Sequence, residues 1–211
     1  MARNLGRRRP GASDGTARAR GPEFGETTMA LTNSPHGYGS LTKLFHWLIV
    51  ILFALQYVGG NIMTSIDFNS SYAGISTNTY YNWHKSLGLV ALLVAVLRII
   101  NRRVGELPPW APTLTPREHA FIHRVEQVFY AAMLIMPITG WLYVMYGNYG
   151  VNLFGVWEMP RPLPRDDTLR DVFKWAHIGA GWVLLAAMAG HVGLVLWHQV
   201  IKKDGLLKRM M

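Results

Sequence analysis

The sequence predicts an all-α fold, an integral membrane four-helix bundle with both termini in the cytoplasm. Two observations carry this. Four stretches, 44–62, 83–100, 125–146 and 175–201, are apolar enough to cross a hydrocarbon core of about 30 Å, a distance that takes about 20 helical residues. Lys and Arg collect in three flanking segments: the amino-terminal region through Lys43, the link holding Arg98, Arg102, Arg103 and Arg117, and the end of the chain with Lys202, Lys203, Lys208 and Arg209. Basic residues are retained on the cytoplasmic side, so these three segments belong there.

The elements follow in order. Residues 1–37 are rich in Arg, Gly and Pro and contain no apolar run, which excludes a signal peptide and predicts a disordered basic leader. An upstream translation start, a vector-derived leader and a native basic tail all fit it, and Met29 is the alternative initiator. Residues 38–207 make up the transmembrane domain, and 208–211 a cytoplasmic tail. The first link, NIMTSIDFNSSYAGISTNTYY, has no Lys or Arg, and in the third link, 147–174, Glu158, Asp166, Asp167 and Asp171 offset the basic residues. Both face the periplasm. Proline in LPPWAPTLTP and EMPRPLPRD makes these segments irregular and helix-ending.

Composition narrows the chemistry. The 211 residues carry a formal net charge of +9 but no cysteine. Thiolate catalysis, disulfides, iron–sulfur clusters and covalent haem attachment are therefore excluded. The basic excess flanks apolar runs, so it reads as membrane topology and contact with lipid rather than nucleic-acid binding.

The histidines are the informative residues, because ionisable groups at membrane depth are costly and mark functional sites. His177, His191 and His198 follow one another at intervals of fourteen and seven. Fourteen residues fall about 40° short of whole turns and rise about 21 Å, so His177 and His191 share a helical face at two depths. His84, in NWHKSLG, starts the second span on the side of His177. His46, in KLFHW, starts the first on the side of His191. Two levels of two histidines result. Paired imidazoles on opposing helices suit a six-coordinate haem iron, whereas zinc needs a third or fourth protein ligand that neither level offers. His198 shares the face of His191, but its closeness to Lys202 places it in the membrane interface.

Small and basic residues nearby fit the same reading. Gly88 lies four residues after His84 and Gly181 four after His177, leaving room one turn away for a flat macrocycle, and Gly190 and Gly193 flank His191. Haem propionates need cations. Arg98 is the leading candidate, followed by Lys43 and Arg102. His119 and His123 open the third helix as a solvated polar start, with contact to a quinone headgroup or propionate as the alternative. His36 lies outside every span.

The motifs LFHW, WHKSLG, MPITGW, WAHIGAG and MAGHVG make residues 38–207 resemble the bacterial cytochrome b561 family, which is related to the cytochrome b subunits of nickel–iron hydrogenases and formate dehydrogenases. The resemblance implies two haem b groups with bis-histidine ligation, His46 with His191 on the cytoplasmic side and His84 with His177 on the periplasmic side. It also adds His123 as a site residue. It implies a multi-pass protein of the bacterial plasma membrane that transfers single electrons with a quinone as partner, with superoxide an allowed donor. Two other readings compete. One is a membrane anchor and electron conduit for a larger dehydrogenase, docked through the periplasmic loop. The other is a haem-free membrane protein. A homodimer is compatible with so small a bundle.

Overall fold

The computed structural model describes residues 31–211, and residues 1–30 of the expected leader lie outside the described residues. Among the described residues four long helices form the bundle: α1 Ser40–Ser65, α2 Thr77–Arg103, α3 Pro116–Tyr146 and α4 Asp167–Leu196. All four are long and apolar enough to span a membrane, which agrees with the predicted bundle. Every helix starts ahead of its expected apolar stretch, and in α2, α3 and α4 a local side-chain cap, rather than hydropathy, sets that start. Ser76 Oγ accepts from Thr79 N ahead of α2. Thr115 and Glu118 form a reciprocal capping box ahead of α3, with Pro116 at the first helical position. Asp166 accepts from Leu169 N ahead of α4. Each bond satisfies an N–H that the first turn would leave orphaned.

The chain alternates direction, giving a terminal end, where α1 and α3 begin and α2 and α4 finish, and a loop end. Two short hairpins decorate the loop end and were not expected. In the first, β1 (Ser71–Tyr72) pairs with β2 (Ile75–Ser76) through Ala73 and Gly74, both at positive φ. In the second, β3 (Asn152–Leu153) pairs with β4 (Trp157–Glu158). Strands of two residues are too short to show an alternating pattern in sequence.

The core is lopsided. Ile49 and Leu52 of α1 pack on Ala91, Val94 and Ala95 of α2 and Met133 of α3, and the two alanines let the helices approach closely, as small residues do in lipid. Contacts run α1 to α2, α2 to α3 and α3 to α4, while α4 stands off from α1 and α2. Leu184 is the one buried residue described on α4. Large apolar side chains such as Ile51, Leu55, Val58, Leu93 and Val183 are exposed on the outside, as a lipid-facing surface requires.

At the terminal end, segment 31–39 is tied to the bundle. Asn33 is 6% exposed, and its Oδ1 accepts from Gly39 N at 3.0 Å and Thr42 Oγ1 at 2.7 Å. Asn101 of α2 then donates to Thr42 Oγ1 at 2.8 Å. Asn33→Ala strands these buried donors and is expected to cost about 1–3 kcal/mol, seen as earlier thermal aggregation of the detergent-solubilised protein. An unchanged transition would show that the Asn33 bonds contribute nothing.

Beyond α4 the backbone widens into a π-helical turn, Trp197–Lys202, then reverses through Lys203 at φ 53° and ends in a 3₁₀ turn, Leu206–Met210. This tail folds across the terminal end. Lys43 Nζ donates to Met211 O, Trp47 Nε1 to Met210 O, and Arg209 to Pro109 O.

Candidate haem sites

The gap beside α4 is where the histidines meet. His84 of α2 faces His177 of α4 with ring centroids 6.2 Å apart. His46 of α1 faces His191 of α4 with centroids 6.5 Å apart. The expected pairing by depth is the pairing observed. Two imidazoles bound to one iron at about 2 Å each place their ring centres about 6 Å apart, so both pairs stand at the separation of a bis-histidine clamp. Among the described residues no three His, Asp or Glu side chains converge as a metal cluster. A metal between these pairs must draw its other ligands from elsewhere, and a porphyrin supplies four.

The first pair opens into a cavity of about 1230 Å³ lined by residues of all four helices, including Gln56, Gly88, Leu89 and Gly181. A macrocycle needs such a volume, which matches or exceeds ordinary cofactor pockets of about 300–1,000 Å³. Gly88 and Gly181 line it as the sequence suggested, although a Cβ on Gly88 would stand 3.0 Å from Gln56 Nε2. Sequence reasoning missed the two glycines that touch the rings. A Cβ on Gly60 would lie 3.3 Å from His84 Cε1, and one on Gly140 would lie 3.0 Å from His177 Cε1 and 3.1 Å from its Nδ1.

The MPITG segment of α3 explains how His177 is aimed. Pro137 lies inside the helix. Thr139 Oγ1 donates to Ile135 O at 2.6 Å and Met136 O at 3.1 Å, and Met136 O also accepts from His177 Nδ1 at 2.9 Å. A ligating histidine characteristically uses its second nitrogen in this way, which fixes the tautomer and points Nε2 at the metal position. His84 is held differently. Its backbone carbonyl accepts from Gln56 Nε2 at 3.0 Å, while its Nδ1 and Gln56 Oε1 are buried without a partner.

At the second pair, Phe129 packs edge-on against His191. Gly193 faces open space, but the room above Gly190 is occupied by the Phe121 ring, whose Cζ would be 2.9 Å from an added Cβ. Arg98 lies close enough for its charge to act on both His46 and His191. Among the described residues its Nε and Nη1 are buried without a hydrogen-bond partner, and its guanidinium sits 5.9 Å from the Tyr130 ring centre. Buried, unpaired guanidinium nitrogens are costly and suit an anion.

Other candidates are engaged elsewhere or stand apart. Lys43 is occupied by Met211 O, and Arg102 pairs with Glu126 at 2.6 Å. His123 is exposed on α3. His119 packs against Trp110 with centroids 4.2 Å apart. His36 lies in an exposed turn.

His198, expected in the membrane interface, is buried among charged side chains at the terminal end. It is 0% exposed, with Nδ1 2.6 Å from Asp204 Oδ2 and Nε2 3.4 Å from Glu118 Oε1, and Lys202 Nζ bonds the same Glu118 at 2.7 Å. The wide π turn and the reversal at Lys203 bring Asp204 back onto the ring. Burial alone would raise the Asp204 carboxyl, but hydrogen bonds from His198, Thr113 and Leu206 N outweigh it and hold the pKa at about 2. The stability this carboxylate contributes is present above the ordinary carboxyl range and is lost as pH falls through about 2.

Comparison with known proteins gives the chain a family. The family model described as prokaryotic cytochrome b561 covers residues 37–211. Cytochrome b561 homolog 2 of Escherichia coli (strain K12) is 24% identical over 183 residues, 87% of this chain and 95% of that protein. Cytochrome b561 homolog 1 of the same organism is 24% identical over 177 residues, 82% of this chain and 96% of that protein. With four membrane-spanning helices and a family match along nearly all of its described length, the chain belongs to the prokaryotic cytochrome b561 family, multi-pass electron-transfer proteins of the bacterial inner membrane that bind haem b.

Proposed function

We propose that this protein is a dihaem cytochrome that moves single electrons between the two faces of the membrane, with His84 and His177 holding one haem b iron and His46 and His191 the other. The observation that supports it is the pair of facing imidazole couples in the gap beside α4, at 6.2 and 6.5 Å. When bound, haem b would supply reversible one-electron chemistry at iron. The residues supply the rest. Met136 O orients His177, Gly60 and Gly140 leave space for the rings, and Arg98 offers the buried cation that a propionate requires.

The basic terminal segments favour a cytoplasmic position for both termini, which would set the His84 and His177 site toward the periplasm. About 21 Å of α4 separates His177 from His191, which puts one site in each half of the membrane. A quinone dissolved in the bilayer is the redox partner favoured at one end, and a small donor such as superoxide fits the other, because the links between helices are short. An accessory dehydrogenase subunit would need a broader soluble face than these links provide.

Oxidised and dithionite-reduced spectra with pyridine haemochrome quantification test the reading. About two haem b per chain is expected, whereas a folded, haem-supplied protein holding none would overturn it. Arg98→Met is expected to lower the midpoint potential of one haem by tens of millivolts, because a lost positive charge favours the ferric state. The other haem should titrate unchanged. Equal shifts in both, or none, would remove Arg98 from the site.

A further inference from the structure

The third link contains an apolar surface that the haem sites do not use. At the tip of the β3–β4 hairpin, Val156 is 88% exposed, Trp157 52% and Phe154 47%. An exposed cluster of this kind normally marks an interaction surface. Its placement decides the partner.

The hairpin does not project away from the bundle but folds back along it. Gly150 O accepts from Lys85 Nζ at 2.7 Å, Phe154 N donates to Ser86 Oγ at 2.9 Å, and Trp141 Nε1 donates to Met159 Sδ at 3.4 Å. Val151, 2% exposed, packs with Val144 and Met145 against Leu89. These anchors lie within the helices rather than beyond them. Counting about 20 residues back from Asn101, where α2 becomes polar, sets the other hydrocarbon border near Asn82. Ser86 is then about 6 Å inside it.

The backbone is also prepared for a dry setting. At the tip, Phe154 N donates to Ser86, Gly155 N to Asn152 O at 3.4 Å and Val156 N to Leu153 O at 2.9 Å. Lipid-exposed non-helical backbone is excluded from the hydrocarbon core itself, so a tip this exposed, with its N–H groups paired, fits the interfacial border, where headgroup water reaches its carbonyls. Ser86 is itself 0% exposed. Below the hairpin, the groove between α2 and α3 is lined by Leu89, Leu92, Ile138, Trp141 and Leu142, a wholly apolar set that continues the same surface toward the bilayer centre.

We propose that the β3–β4 hairpin is a re-entrant membrane wedge, with Phe154, Val156 and Trp157 seated among the lipid acyl chains at the border of the leaflet on the loop side. The other face of the same segment, Tyr149 to Asn152, lines the large cavity. The wedge thus fixes the depth at which that cavity opens to the membrane surface. It also removes this tip from the surface available to a soluble partner. The proposal rests on the membrane-spanning bundle and is independent of how many haems are bound.

The chain has no cysteine, so a single introduced thiol reports its own surroundings. Val156→Cys, Thr168→Cys in the exposed first turn of α4 and Leu93→Cys on the exposed face of mid-α2 are compared in lipid nanodiscs, using variants that retain the wild-type haem spectrum. Val156→Cys should react with a charged maleimide about tenfold or more slowly than Thr168→Cys. A nitroxide there should collide with oxygen in preference to a water-soluble nickel chelate, as at Leu93→Cys. Rapid maleimide labelling with nickel access would overturn the wedge in favour of an aqueous surface. Slow labelling with neither collider, together with dipolar broadening between labels, would overturn it in favour of contact with a second copy.

Discussion

His177→Ala is expected to reduce the haem content from about two to about one per chain while leaving the helical bundle intact. The substitution removes one imidazole of the pair with centroids 6.2 Å apart, and His84 alone cannot clamp an iron from both sides. The pair at His46 and His191 lies about 21 Å away along α4 and shares no ring contact with His177. The surviving haem should therefore keep its midpoint potential. His191→Ala should spare the opposite haem, and the two variants together identify which wave in a redox titration belongs to which depth. Equal loss of both haems from a folded His177→Ala protein would contradict independent sites. Full retention would contradict His177 as a ligand.

The second large effect is expected from a residue that touches no metal. Gly140→Val puts a branched side chain where even one Cβ lies 3.0 Å from His177 Cε1 and 3.1 Å from Nδ1. The ring cannot keep its place or its 2.9 Å bond to Met136 O. Outer-shell changes of this type weaken metal retention by about 10–100-fold, so Gly140→Val should resemble His177→Ala in losing the same haem. Gly59→Val is the control, since nothing lies within 4 Å of a Cβ there. Equal haem loss in both would mean that glycine matters here for helix packing alone. Loss confined to Gly140→Val would tie the MPITG segment to the aim of His177.

The spans and histidine levels were legible for a simple reason. A helix in lipid needs about 20 apolar residues and rises a fixed 1.5 Å per residue, so a polar side chain inside a span has a depth that can be counted. His46, His84, His177 and His191 could be paired without knowing how the helices pack. The stand-off of α4 from α1 and α2 shows why those positions have room between them.

Contacts across the chain left no such trace. Gly60 and Gly140 belong to α1 and α3, far in sequence from the histidines they accommodate, and no period links them. Lys43 reads as a free cation at a helix start until the tail folds back and Met211 O occupies it. His198 reads as interfacial because Lys202 follows, but its burial against Asp204 and Glu118 left no trace in sequence, since it depends on the π turn and the reversal at Lys203. Arg98 was legible as a cation near the lower pair. That two of its nitrogens are buried and unpaired was not.

The sequence by itself determined the four spans, the two histidine levels and the absence of cysteine chemistry, because hydropathy, helical rise and residue type are local properties of the chain. The tertiary structure decided which groups aim the imidazoles, which cations are free and where the third link lies. Those outcomes depend on hydrogen bonds and close contacts between different helices and links, as between His177 and Met136 or Phe154 and Ser86, and such contacts form only once the helices have packed.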